Sequence, residues 1–165
     1  MVLTKDELVA SLQNEVRIFL HLCSKIDPEK LDYRPTAKQR STIELLRYMS
    51  VMAPQVIGAV KAGAFDMPRW QAANAAAAAA GLDEVLAAIG NQSAEFAEVL
   101  GGFSEDDFRG EIEMFGRKAS RGSLIVNMVL CGFAAYRTQL FIYLKACGRE
   151  ELNTMNLWAG IDGSM

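Results

Sequence analysis

The residues able to do chemistry are few, and their spacing limits what they can do. The chain holds one histidine, His21, and three cysteines, Cys23, Cys131 and Cys147. One histidine excludes a polyhistidine metal site within the chain. On a helical wheel His21 falls opposite the Leu8–Leu12–Phe19 stripe, beside Asn14, Arg17 and Lys25, so it is expected to face solvent. The cysteines are widely spaced, odd in number and outside any CxxC pair, which argues against a disulfide framework and for a reducing cytoplasm. They are expected to pack as small hydrophobes. Glu44 completes a capping box with Ser41, and that role accounts for it without catalysis.

The elements that position these residues read as long helices. Thr4-Lys5-Asp6-Glu7 and Ser41-Thr42-Ile43-Glu44 are capping boxes, each followed by apolar residues at helical spacing. The pattern predicts helices near 4–26, 41–62, 82–100 and 123–147. Pro54 lies inside the second and should disturb it near Ser50, four residues back. Between the second and third lies a long connection from Gly63 to about Gly81. It includes six consecutive alanines, Ala75 to Ala80, which either form helix or fray. Glu111 to Phe115 alternate like a short strand, marginal if it stands alone. The tail, 149–165, reads as an ordered coil packed on the bundle, with Trp158 against its end. Four long helices in a single domain spanning 1–165 define an all-α four-helix bundle with a long crossover between helices 2 and 3.

Composition excludes several functions. With 165 residues, 51% hydrophobic and 22% charged, the chain is long enough to bury a core and too apolar to be disordered. A net charge of −3 leaves no basic excess for a phosphate backbone, so nucleic acid is not an expected partner. The longest apolar run, Leu124 to Tyr136, falls short of the roughly 20 residues of a bilayer span. No membrane association is therefore expected. No apolar stretch follows the charged start, so no signal peptide is expected.

Three segments together resemble the DinB-like (YfiT-like) superfamily of bacterial four-helix metalloproteins. They are Leu31-Asp32-Tyr33-Arg34-Pro35-Thr36, Arg40 through Tyr48, and Ala135-Tyr136-Arg137-Thr138-Gln139-Leu140-Phe141-Ile142-Tyr143-Leu144. The resemblance implies a divalent metal held by three histidines, one on the second helix and two a turn apart on the fourth. Those positions are Tyr48, Gly132 and Tyr136 here. The frame is kept and the metal triad is lost, so neither a metal nor another cofactor is expected.

On a wheel centred on Gly132, the residues Ile125, Met128, Gly132, Tyr136, Gln139 and Tyr143 form one stripe. Ser41, Glu44, Tyr48, Met52 and Gln55 form the matching stripe on the second helix. If both face inward, Glu44, Tyr48, Gln55, Tyr136, Gln139 and Tyr143 converge, with a gap at Gly132. Two readings stay open: a small pocket with hydrogen-bonding walls, or a site that the tyrosines have filled. Arg137 projects away from this stripe and is expected to meet a carboxylate of a neighbouring segment or subunit. The expected function is a metal-free small-molecule-binding or structural module. The alternative implied by the resemblance is a thiol-dependent transferase or isomerase, which needs a Lewis acid. The fourth helix is apolar over most of its circumference. The side opposite Gly132, with Leu130, Ala134 and Phe141, is therefore expected to pair two copies as a homodimer, unless Leu157 and Trp158 of the tail cover it.

Overall fold

The computed structural model describes residues 3–163; Ser164 and Met165, the end of the expected coil tail, lie outside the described residues. The long helices are α1 (Lys5–Cys23), α2 (Thr42–Ala62), α4 (Leu82–Gly101) and the run made of α6 (Arg121–Ile125), a π-helical turn (Val126–Leu130) and α7 (Cys131–Ala146). Capping boxes open α1 and α2 as the sequence requires. The first helix stops at Cys23, short of the expected 26.

The crossover holds a helix of its own, α3 (Met67–Ala79). Asp66 caps it, its Oδ1 accepting from the Arg69 N–H at 2.9 Å. Its far end is pinned to α2 by Arg47, whose Nε and Nη2 donate to the Ala80 carbonyl at 3.0 and 2.8 Å. That clasp lets an alanine-rich segment with almost no buried surface stay helical. After a short helix, α5 (Glu105–Arg109), the alternating segment becomes β1 (Glu111–Met114). It gains the partner that the sequence reading lacked, β2 (Arg117–Ser120), in an antiparallel hairpin. Phe115 and Gly116 turn it with φ of 53° and 71°, the left-handed pair that a two-residue hairpin turn needs.

The core runs through the bundle from Leu12 and Phe19 of α1 to Leu45 and Met49 of α2, Ile89 and Phe96 of α4 and Phe133 and Leu140 of α7. The Phe133 ring meets those of Phe19 and Phe96 edge-on, each at 6.2 Å between centroids. On the π-helical turn and α7 the buried residues are Val129, Phe133, Arg137, Leu140, Tyr143 and Leu144, centred between Phe133 and Leu140. This direction lies about a quarter turn from the Gly132 stripe at 100° per residue. A wheel centred on Gly132 therefore points along the rim of the core. Leu130 and Phe141, expected on the outer face, pack against the core cluster. The exposed face carries Cys131, Ala135, Thr138 and Ile142 instead.

Proline 54 does not break α2. Its missing N–H would have bonded the Ser50 carbonyl, and Gln92 of α4 supplies the donor. Gln92 Nε2 reaches the Met49 and Ser50 carbonyls at 2.9 and 3.1 Å, on a side chain wholly buried in the Ile89–Phe96 stripe.

The Arg121–Ala146 helix is long and apolar enough to cross a membrane by length and composition, with a mean hydropathy of 1.4 over its best window. The sequence predicts a helix of this length, near 123–147, and only its apolar run from Leu124 to Tyr136 falls below a bilayer span. In the fold the helix is a bundle wall that carries the buried Arg137.

The tail docks along α1 and corrects two expectations. Arg17 donates to the Ala159 and Gly160 carbonyls at 2.7 and 3.2 Å, and Lys25 pairs with Asp162 at 2.6 Å. His21 is consequently covered: its side chain is 15% exposed, with Nε2 3.1 Å from Asn156 Nδ2. Trp158, in contrast, is 63% exposed and lies over the Arg137 guanidinium at 5.1 Å, not packed on the bundle end.

Candidate functional site

The positions at which the resemblance implied a metal are Tyr48 on α2 and Gly132 and Tyr136 on α7. The structure brings Tyr48 and Tyr136 together, ring centroids 5.1 Å apart and edge-on. Arg40 lies over the Tyr48 ring at 4.1 Å, and the Trp70 ring of α3 meets it edge-to-face at 6.0 Å. The gap at Gly132 is taken by Met52: a Cβ on Gly132 would lie 3.1 Å from Met52 Cε and 3.7 Å from Sδ. The centre is a packed plug of two phenols and a thioether, roofed by Trp70.

Of the other residues expected there, Glu44 lines an open hollow of about 210 Å³ with Arg40, Arg47 and Tyr48, and the rest disperse. Glu44 is exposed; its Oε2 accepts from the Ser41 N–H at 2.8 Å and pairs with Arg34 at 3.3 Å. The Ser41 N–H, then Arg34, hold its carboxyl below the usual range. Gln55 faces a small hollow near Phe65 and Asp66, away from the tyrosine pair. Gln139 and Tyr143 form a separate latch: Gln139 Nε2 donates to the Tyr143 hydroxyl at 2.7 Å, and that hydroxyl donates to the Arg40 carbonyl at 2.8 Å. With Tyr33 edge-on to Tyr143 at 5.5 Å, this latch anchors the loop before α2.

The plug does not suit a metal. Burial, and then the neighbouring Tyr136 phenol, push the Tyr48 hydroxyl up to about 12, away from the phenolate a metal would need. Glycine contributes no ligand, and a methyl group fills its place. Among the described residues no cluster of three histidine, cysteine or acidic side chains could hold an ion. A Lewis-acid route for the thiol-dependent alternative has no donor set at these positions.

The thiols divide by environment. Cys23 is buried, and burial raises its thiol far above the ordinary value; Cys147 is half-buried and raised by the same cause. Cys131 is exposed, contrary to its expected packing.

The ion pair expected of Arg137 is made within the chain. Its Nη1 meets Glu15 Oε1 of α1 at 3.0 Å, with side chains 5% and 12% exposed. Burial raises the Glu15 carboxyl, opposed by Arg137.

A site absent from the sequence reading lies between α2, α3 and α4. It is a cleft of about 550 Å³ with Pro54, Ile57, Phe96 and Val99 among its walls and Lys61, Arg69 and Glu95 at its rim. Its volume falls in the range of clefts that hold small molecules. The signal in the sequence was faint: Gly58 on the face of α2 and an unaccounted arginine at the start of α3.

The helical bundle with its long crossover has the all-α DinB-like fold. A solved structure with this fold is a DinB-like protein, YjoA, from Bacillus subtilis. It is similar to this chain with a TM-score of 0.68 and 18% identity over 88% of this chain and 94% of that one. No family model and no curated protein matches the sequence.

Proposed function

We propose that this chain is a metal-free DinB-fold binding protein that holds a small molecule in the α2–α3–α4 cleft. The observation that carries the reading is the cleft itself, about 550 Å³ with an apolar floor and a charged rim. Apolar clefts with a few convergent polar groups are the usual form of small-molecule sites. The plug of Tyr48, Tyr136 and Met52 supports a binding place other than the one the resemblance implied.

The test is a titration with Nile red, a neutral dye whose emission brightens in apolar surroundings. The wild type should bind about one dye per chain. Gly58→Leu, which puts a side chain into the cleft, should abolish the signal. Equal brightening by both proteins would refute the reading.

The same proposal includes pairing of two copies through α7. The face that supports it is Cys131, Ala135, Thr138 and Ile142, spaced four, three and four residues apart like the seam of a coiled coil. Ile142 is 56% exposed there, on a helix whose most apolar window is 28% buried. A closed two-fold pair is the commonest way to cover such a face. A cytoplasmic setting is proposed on the free thiols.

A further inference from the structure

We propose that the α2–α3–α4 cleft selects amphipathic monocarboxylates, with the carboxylate at Arg69 and the apolar body along Pro54 and Val99. This inference rests on the cleft being the binding site, and it assigns that site's ligand chemistry.

Three observations converge. The first is the place of Arg69. It sits in the first turn of α3, and its Nη1 lies 4.0 Å from where a Cβ of Gly58 on α2 would stand. A Cβ at 58 would only touch the guanidinium, and a side chain longer than alanine's would compete with it for the cleft. The second is that this guanidinium is unused. Among the described residues Arg69 has no ion pair and no side-chain hydrogen bond, and neither has Lys61. Asp66, its nearest acid in sequence, spends an oxygen on the Arg69 backbone N–H at 2.9 Å. Arginine offers a fork of donors that matches a carboxylate in two parallel bonds, and Lys61 adds a second positive charge at the same rim. The third is the wall: half-buried Pro54 and Val99 line the cleft, backed by the buried Ile57 and Phe96, so its lining is apolar and not a polar crevice.

Glu95 opposes the two cations. It is the acid at the rim, on α4, and it makes no ion pair within the described residues. Two cations against one carboxylate leave the rim positive by one charge. A ligand with a negative head is attracted, and Glu95 weakens that attraction. Neutralising Glu95 should therefore strengthen binding of a monoanion.

The probes are octanoate, 1-octanol and octyltrimethylammonium, titrated calorimetrically against wild type, Arg69→Ala, Glu95→Gln and Gly58→Leu. Circular dichroism confirms that each variant folds. The expected order is octanoate binding at least about tenfold tighter than octanol, with octyltrimethylammonium weakest. Arg69→Ala should bring octanoate to the level of octanol, Glu95→Gln should tighten octanoate severalfold, and Gly58→Leu should abolish binding of both. Added salt should weaken octanoate and leave octanol unchanged. If octanol and octanoate bind equally and Gly58→Leu abolishes both, the cleft stands and the carboxylate assignment is overturned. If octanoate binding survives Gly58→Leu, or neither these probes nor Nile red bind the wild type, the assignment fails together with the cleft. Nile red binding that Gly58→Leu removes, without octanoate binding, overturns the assignment alone.

Discussion

Gln92→Leu isolates the device that lets α2 run through a proline. The substitution keeps the side chain's size and removes the donor. Two carbonyls lose a partner, at 2.9 Å (Met49) and 3.1 Å (Ser50). Met49 keeps its helical bond from Ala53, so its loss is small. Ser50 keeps nothing, because residue 54 is proline. A buried carbonyl left without a partner costs about 1–3 kcal/mol. One term opposes it: Gln92 Oε1 is buried without a partner, and leucine removes that burden. The net expectation is a loss of about 1–2 kcal/mol, seen as a lower midpoint in urea at unchanged slope. The decisive comparison is the double-mutant cycle with Pro54→Ala. Alanine restores the N–H to Ser50, so in that background Gln92→Leu should cost less than about 0.5 kcal/mol, a coupling of about 1 kcal/mol. Additive effects, or a Gln92→Leu protein more stable than wild type, would refute the reasoning.

Glu15→Ala should cost about 3–5 kcal/mol because it strands the buried Arg137, while Glu15→Leu with Arg137→Met should recover most of that loss in the same urea assay. Ile142→Glu should turn a dimer of the 18.1 kDa chain into a monomer by light scattering, and a wild type that is monomeric at micromolar concentration would contradict the α7 pairing. His21 titrates below its ordinary value, lowered by burial first, then by Lys25 and Arg17, with Asp162 opposing. The unfolded chain therefore binds the proton at higher pH than the folded one, and stability should fall as pH drops below about 6.5. His21→Gln should flatten that slope between pH 7 and 5, and an unchanged slope would contradict the placement of His21 under the tail.

How much was legible in the sequence follows from what each signal encodes. Capping boxes are local, so Ser41 and Glu44 fixed the start of α2 to within a residue. The hairpin needed a partner that shows no apolar alternation, Arg117–Ser120, and its turn begins with a phenylalanine at positive φ, which no turn rule favours. The site was half legible. Tyr48 and Tyr136 do meet and Glu44 lines a hollow beside Tyr48, but the wheel was centred on a glycine at the rim of the core, so Gln55 was drawn into a cluster it does not join. Gln92 was readable as the one polar residue in the Val85–Ile89–Phe96 stripe, a buried amide whose partner only the fold reveals. The tail's grip on Arg17, His21 and Lys25 depends on residues more than a hundred positions apart, and no local pattern announces it.

The account turns on the plug at Tyr48, Tyr136 and Met52, and metal titration tests it most directly. Purified protein should be titrated with zinc and with nickel at pH 7 while metal content after dialysis without chelator is measured by elemental analysis. Well under 0.1 metal per chain after dialysis, no saturable heat and an unshifted melting temperature are expected, because a buried phenol near 12 and a methyl-filled glycine offer no strong donors. About one tightly held metal per chain, lost on Tyr48→Phe or Tyr136→Phe, would contradict it.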